Sequence, residues 1–327
     1  GTLYFADHTI AENFSFEYPV FLPTGKEMSD HAILLLHGLN ERRWNKYLPW
    51  AESLCLNTGK PVILFPIAFH INRAPFTWSN PKSLDSLLHF RREKFTDDHT
   101  VSYANVVLSE RISESPERFY LSGRQTWSDL TLLFEEIKTG RHPLFREDTK
   151  IDLFAYSIGA FLSQVALMAN QKSLFSDSRL FMFCGGSIFR SMAGISRNIL
   201  DKFAFEKMQD YYVHRFGNET EPVWERDNAF HAFVQMISPD RFRSERETLF
   251  SRLKEKIRGI ALSKDVVIPY NGVLEALGKK NTESTFQLLD FPFPYTHENP
   301  FPHNSQDATS LNNAFHNVFY RASEFLA

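Results

Sequence analysis

The sequence predicts an α/β protein whose mainly parallel, twisted β-sheet carries helices on both faces. Short aliphatic runs such as Ala32–Leu36 are typical of strands that are covered on both sides. These runs alternate with amphipathic helical patterns such as Trp127–Lys138, and such alternation favours parallel pairing through right-handed crossovers. The chain has 327 residues, and 43% of them are hydrophobic, which is enough to form one large buried core. We therefore expect a single domain over residues 1–327.

The first four predicted elements lie before residue 70. Phe14–Leu22 alternates aromatic and polar residues and ends at a Pro-Thr-Gly turn, which predicts a strand. Ala32–Leu36 is the continuous run that predicts the second strand. Lys46–Thr58 has apolar residues at helical spacing, and Gly59 suits the end of a helix. Pro61–Phe69 is the next buried strand.

The remaining elements repeat the strand–helix alternation. Trp127–Lys138 has one apolar face and predicts a helix. Lys150–Ala155 is a strand that runs directly into a helix at Gly159–Ala169. The later predicted elements are strands at Arg179–Cys184, Ile257–Leu262 and Thr285–Leu289, and a helix at Ala314–Phe325.

Two long segments lie outside this alternation. Residues 70–124 are rich in Arg, Asn, Ser and Pro, which predicts an irregular insertion. Residues 187–250 contain several helical patterns and little strand signal. Because a segment that follows a parallel strand overhangs the crevice at the strands' carboxyl ends, we expect 187–250 to form a helical cap.

Composition limits the classes of partner and cofactor. A net charge of −3 does not favour nucleic acid or an anionic membrane surface, and no apolar run is long enough to span a bilayer. The two cysteines, Cys55 and Cys184, form neither a disulfide framework nor a metal-ligand pattern. We expect a soluble, cytoplasmic protein without metal or cofactor. The missing initiator Met leaves a removed signal peptide open, and the oligomeric state is undetermined.

The first candidate catalytic residue is Ser157. It lies at the corner where the strand Lys150–Ala155 meets the helix Gly159–Ala169. A tight strand-to-helix turn projects a hydroxyl into the crevice, and small residues at 155 and 159 let the two elements approach closely. The helix N-terminus adds partial positive charge where an oxyanion would form. This pattern favours a nucleophilic serine.

The segment Ala155-Tyr156-Ser157-Ile158-Gly159 resembles the nucleophile elbow of the α/β-hydrolase superfamily, which is usually written Gly-x-Ser-x-Gly. Ala155 departs from that pattern by one methyl group. The segment His37-Gly38-Leu39, at the end of a buried strand, resembles the family's oxyanion loop. The resemblance implies an oxyanion hole formed by the backbone N–H groups of Leu39 and Ile158.

A serine hydroxyl needs a base to take its proton and a carboxylate to hold that base. The resemblance implies the chain order serine, acid, histidine, each after a strand. Asp265 follows the strand Ile257–Leu262, and His297 lies in the loop before the last helix. Asp290 and His303 are the alternatives to these two residues.

Four residues near these motifs are candidates for the substrate pocket: His37, Arg73, Trp78 and Tyr156. Arg73 and Trp78 follow a strand on the active-site side and suit an anionic or aromatic group. The function that the resemblance implies is hydrolysis of a carboxylic ester, or a related acyl bond of a small molecule, through an acyl-enzyme on Ser157. A serine peptidase, an acyltransferase and a non-catalytic binding protein of the same fold are the alternatives.

Overall fold

The computed structural model describes residues 6–25, 28–216, 227–303 and 307–327. In this part of the chain, seven strands form one sheet in the order β1-β3-β2-β4-β5-β6-β7. Only β1 runs antiparallel to its neighbour, and the other pairs are parallel. The strands are β1 Val20–Phe21, β2 Ser29–Leu36, β3 Val62–Phe65, β4 Phe145–Tyr156, β5 Leu180–Phe183, β6 Ile257–Leu262 and β7 Phe286–Leu289.

Eleven α-helices accompany the sheet in the described residues. They are α1 Leu48–Thr58, α2 Pro81–Lys94, α3 Val106–Glu114, α4 Glu117–Lys138, α5 Ile158–Ala169, α6 Lys202–Asp210, α7 Asn228–Ile237, α8 Arg243–Leu253, α9 Tyr270–Leu277, α10 Lys279–Thr285 and α11 Ala308–Leu326. Each helix that the sequence predicts is present, but α4 begins ten residues before Trp127 and α11 begins six residues before Ala314.

Helices cover both faces of the sheet, as the sequence predicts. Successive side chains of β2 point to opposite sides. Leu34 and Leu36 pack into one core with α4 and α5, whereas Ile33 and Leu35 pack into another with α1 and α11. All four side chains are essentially inaccessible to solvent. This burial on both faces explains why β2 is a continuous aliphatic run.

The strand predicted over Phe14–Leu22 is wrong in extent, because β1 covers only Val20 and Phe21. The backbone carbonyl of Pro19 accepts a hydrogen bond from the Leu64 N–H at 2.9 Å. Proline has no backbone N–H, so Pro19 cannot donate a hydrogen bond to β3.

The segment 70–124 is mostly helical, which corrects the prediction of an irregular insertion. It contains α2, α3 and the first residues of α4. The prediction rested on the Arg, Asn, Ser and Pro content of the segment, but Asn80 and Pro81 begin α2. The Asn80 side chain accepts a hydrogen bond from the Lys82 N–H at 3.1 Å, and Pro81 occupies the first turn, where a missing N–H costs nothing.

The segment 187–250 contains α6, α7 and α8, together with a π-helical turn at Tyr211–Arg215; residues 217–226 of this segment lie outside the described residues. It packs against the earlier insertion, because α6 contacts α3. A buried ion pair joins the two. The Arg91 guanidinium on α2 donates to both carboxylate oxygens of Asp201, each at 2.8 Å, and Asp201 is the N-cap of α6.

Within the described residues, no helix combines the length and the apolar character that crossing a membrane requires.

Candidate active site

Ser157 occupies the turn between β4 and α5, in a backbone conformation that few residues adopt. Its φ and ψ are 56° and −121°, and such strain clusters at functional sites. The side chain is 6% exposed and does not cap the helix, so its hydroxyl is available to other partners. One partner is His297, whose Nε2 lies 2.7 Å from Ser157 Oγ.

Close packing around Gly159 makes this turn possible. A Cβ atom at residue 159 would lie 2.7 Å from the carbonyl oxygen of Leu36 and 2.8 Å from that of His37, at the end of β2. Glycine is therefore required for α5 to begin this close to the neighbouring strand.

Gly159→Ala is accordingly expected to lower the free energy of unfolding by about 1–3 kcal/mol, since the new methyl group must displace backbone atoms. Urea unfolding measures the change. Gly123→Ala is the matched control, because a Cβ there meets nothing within 4 Å and alanine suits the interior of α4. Unchanged stability of Gly159→Ala contradicts the close approach of the two backbones.

His297 is held from two sides in the loop that connects β7 to α11. Its ring stacks on Tyr156 with centroids 5.4 Å apart and an angle of 16° between the planes. The Tyr156 hydroxyl donates a hydrogen bond to the backbone carbonyl of His297. The imidazole is 3% exposed, so its two ring nitrogens depend on protein partners.

Asp265 provides the second of these partners. Its Oδ2 lies 2.7 Å from His297 Nδ1, and its Oδ1 accepts the N–H groups of Val267 at 2.9 Å and Ile268 at 2.8 Å. The carboxylate is 4% exposed and is fixed by the loop that follows β6. The Cys184 thiol also contacts it, and burial together with this carboxylate raises the pKa of Cys184 well above its ordinary value.

The structure therefore brings Ser157, His297 and Asp265 into one hydrogen-bonded chain, and it leaves the two alternatives elsewhere. Asp290 is exposed and bonds to Lys264 at 3.1 Å and to the Tyr295 hydroxyl at 2.9 Å. His303 is also exposed.

The oxyanion candidates lie next to the serine. Leu39, Ser157 and Ile158 line one apolar cavity of about 40 Å³. Ile158 is the first residue of α5, where backbone N–H groups have no intrahelical acceptor. The loop His37-Gly38-Leu39 is held in place at Gly38, whose N–H donates to the Tyr47 hydroxyl at 2.9 Å.

His37 has a structural position and does not line the pocket, contrary to its prediction as a pocket candidate. The ring is inaccessible to solvent; its Nε2 accepts the Ile67 N–H at 2.9 Å, and its Nδ1 lies 2.7 Å from the Gly38 carbonyl oxygen. Burial, and secondarily the neighbouring His70, lower the pKa of His37 well below its ordinary value. The neutral ring joins the ends of β2 and β3.

Arg73 is likewise enclosed by protein groups, which corrects its prediction as a residue that grips substrate. It pairs with Asp129 at 2.6 Å and donates to the backbone carbonyls of Asn13 at 3.0 Å and Pro66 at 3.1 Å. A guanidinium that is fully removed from water needs such acceptors, and here they come from the fold itself.

The cavities around Ser157 differ sharply in chemistry. A polar cavity of about 530 Å³, which we call the vestibule, is lined by Ser157, His297 and Tyr156 together with Asn40, Asn45, Asn198 and Asn299. The 40 Å³ cavity also reaches Ser157, and a further apolar cavity of about 60 Å³ borders Leu39 and Ile158 and has walls that include Phe119, Phe161 and Phe233. Trp78 lines none of these three cavities but a fourth one, of about 40 Å³.

Sequence reasoning missed several residues of this site. Lys46 lies 4.7 Å from the centre of the Tyr156 ring and donates to the backbone carbonyl of Glu298 at 3.2 Å, so it supports the loop that carries His297. Asn40 and Arg42 line the vestibule. Their position directly after the His37-Gly38-Leu39 motif was the available signal. No cluster suited to a metal ion occurs among the described residues.

Comparison with known proteins places the chain in a family and identifies its fold. A family model described as "Family of unknown function (DUF6051)" matches residues 2–327. No curated protein matches the chain. A solved structure of carboxyl esterase 2 from the fungus Tuber melanosporum is 10% identical over 95% of this chain and 81% of that chain, with a TM-score of 0.51.

Two further solved structures are similar to this chain, and the second of them is described as a thermophilic esterase. Est1E from Butyrivibrio proteoclasticus with bound ferulic acid is 9% identical over 95% of both chains, with a TM-score of 0.47. Est2 from Thermogutta terrifontis is 13% identical over 94% of this chain and 88% of that chain, with a TM-score of 0.44. At these identities the likeness concerns the fold alone, and this chain has the α/β-hydrolase fold that the sequence predicted.

Proposed function

We propose that this chain, which belongs to the family of unknown function DUF6051, is a serine hydrolase that cleaves a carboxylic ester through an acyl-enzyme on Ser157. One observation carries the proposal. Ser157 Oγ, the His297 ring and the Asp265 carboxylate form a chain of two 2.7 Å contacts that ends in the wall of an open cavity. A nucleophile, a base and a carboxylate that orients the base are what acyl transfer requires.

In the proposed first step, Ser157 Oγ bonds to the ester carbonyl carbon while His297 Nε2 takes the hydroxyl proton. Asp265 accepts a hydrogen bond from His297 Nδ1 and stabilises the imidazolium. The C–O bond to the alcohol then breaks, and His297 returns its proton to the departing oxygen. Water, deprotonated by His297, attacks the acyl-enzyme, and Ser157 recovers its proton as the acid leaves.

The backbone N–H groups of Leu39 and Ile158 are the proposed oxyanion hole. Both residues line the same cavity as Ser157, and Ile158 begins α5, whose N-terminus favours negative charge. The developing negative charge of the tetrahedral intermediate therefore meets donors that are already oriented.

The helices of 70–124 and 187–250 serve as the cap in this proposal. Ala104 of the first segment and Asn198 of the second line the vestibule, while Phe119 and Phe233 contribute to the apolar walls. The cavity pattern supports an ester whose acyl group enters the apolar side and whose alcohol occupies the polar vestibule, since apolar groups gain free energy on leaving water.

A fluorophosphonate probe tests the proposal. It is expected to label folded protein at Ser157, because the probe reacts with a serine hydroxyl activated by an adjacent base, and peptide mass mapping locates the adduct. Heat-denatured protein is the control and should stay unlabelled. Unlabelled Ser157 in folded protein favours the binding-protein alternative, whereas peptide release without ester turnover favours a peptidase.

A further inference from the structure

A small chamber beside the vestibule contains two buried polar atoms that lack partners. Trp78 and His70 both line this cavity of about 40 Å³, and each is 6% exposed. Trp78 Nε1 and His70 Nε2 have no hydrogen-bond partner among the described residues. Because buried polar atoms are nearly always paired, two unpaired ones at one cavity indicate a ligand that supplies the missing contacts.

The protonation state of His70 defines the chemistry of that ligand. Its Nδ1 lies 2.9 Å from the carbonyl oxygen of Ala68, so Nδ1 carries the proton and Nε2 presents a lone pair. Burial lowers the pKa of His70 to about 4, which keeps the ring neutral at neutral pH. Trp78 Nε1–H can only donate. The charged residues that also line the chamber, Glu41, Arg42 and Arg111, already bond to protein groups. The atoms without a partner therefore offer one donor and one acceptor.

A hydroxyl group matches this pair, since it accepts from Trp78 and donates to His70. A carboxylate or phosphate oxygen only accepts, and it would face the His70 lone pair. The volume suits a group of about three water-sized atoms, because one such atom needs roughly 10–15 Å³. A hydroxymethyl group fits this size.

The backbone beside His70 carries strain that supports a functional role. Phe69 and Ile71, on either side of His70, have positive φ values of 66° and 51°. Conformations of this kind are costly for bulky and β-branched residues and persist where the surrounding structure enforces them.

The chamber opens from the leaving-group side of the site. Asn40, Arg42 and Ser79 line both the chamber and the vestibule that contains Ser157. The Arg42 guanidinium is anchored at this boundary, where its Nη2 donates to the carbonyls of Tyr103 at 3.2 Å and Ala104 at 2.6 Å.

We propose that Trp78 and His70 bind a hydroxyl group of the departing alcohol, so that the substrate is an ester of a polyhydroxylated alcohol. This inference rests on the proposed hydrolase function and adds the class of alcohol to it.

Two esters with the same acyl group test the inference: 1-butyrylglycerol and propyl butyrate, whose alcohols differ by two hydroxyl groups. We expect wild-type kcat/KM to be about tenfold or more higher for the glycerol ester, since each neutral hydrogen bond contributes a several-fold preference. Trp78→Phe removes the donor and keeps most of the ring. It should bring the two kcat/KM values several-fold closer together, mainly through KM.

Trp127→Phe is the matched control. Trp127 is 7% exposed and its Nε1 also lacks a partner in the described residues, but it lines the apolar cavity. His70 borders that cavity as well, so comparing the two tryptophan variants shows which cavity takes the hydroxyl group. This variant should keep the wild-type preference between the two esters. Equal loss of preference in both variants indicates a general packing effect and contradicts the assignment.

The outcomes separate the inference from the proposal on which it rests. Equal wild-type kcat/KM for the two esters overturns the hydroxyl site alone, and a chamber that holds only water gives this result. An enzyme that hydrolyses neither ester nor 4-nitrophenyl butyrate overturns the proposed function and this assignment with it. If Trp78→Phe does not fold, the ratio of the wild-type kcat/KM values for the two esters decides whether the hydroxyl site exists.

Discussion

Ser157→Ala is expected to lower kcat/KM for ester hydrolysis by at least about 10³-fold and by as much as roughly 10⁶-fold. In the proposed mechanism, Ser157 Oγ is the atom that forms the acyl-enzyme, and without it His297 could act only on water. The melting temperature should stay close to wild type. Ser157 Oγ bonds to the side chain of His297 and does not cap α5, so its removal does not break a helix cap. Single-turnover ester hydrolysis and thermal unfolding measure the two effects.

Ser163→Ala serves as the matched control for this variant. Ser163 is a buried serine on α5, and its hydroxyl donates to the Gly159 carbonyl at 2.8 Å rather than to His297. It should retain activity within a few-fold of wild type. Residual activity of Ser157→Ala at the level of Ser163→Ala would refute the nucleophile assignment.

His297→Ala is expected to have an effect of comparable size, about 10³-fold to 10⁶-fold on kcat/KM, because an unactivated serine hydroxyl is a poor nucleophile. The cause of this loss differs from the cause in Ser157→Ala, because the nucleophile remains in His297→Ala but is no longer activated. Since the two residues act as one unit, the double variant should be little worse than either single variant. Kinetics on one ester with all three variants measures this.

His303→Ala is the internal comparison, because His303 follows His297 in the same loop region and is exposed. Its activity should match wild type. A large loss in His303→Ala together with normal activity in His297→Ala would move the base to residue 303.

The fold was predictable from the sequence because its strongest signals are local. β2 is buried on both faces and therefore appears as an aliphatic run, and β6 matches its predicted bounds, Ile257–Leu262. The elbow was predictable for a related reason. A serine between a buried strand and an apolar helix, with glycine at 159, satisfies steric demands that few other sequences meet.

The roles of isolated polar residues were not predictable, because burial depends on distant parts of the chain. In the sequence, Arg73 is indistinguishable from a surface or substrate-binding arginine. Its partners Asn13 and Asp129 are distant in the chain and meet it only in the folded structure. The helices of 70–124 were missed since Asn80 and Pro81 are typical of both loops and helix starts. The choice between His297 and His303 likewise depended on which one reaches Ser157.

The buried contact between Arg91 and Asp201 has a consequence for how this protein can diversify. Removing Arg91 leaves the buried Asp201 carboxylate without a counter-charge, which costs about 3–5 kcal/mol, whereas loss of Asp201 still leaves Arg91 its ion pair with Glu110. Chimeras that replace segment 70–124 with that of a relative should lose stability unless the new segment keeps an arginine that pairs with Asp201. Segments 70–124 and 187–250 are therefore expected to give a stable fold most readily when they are exchanged together.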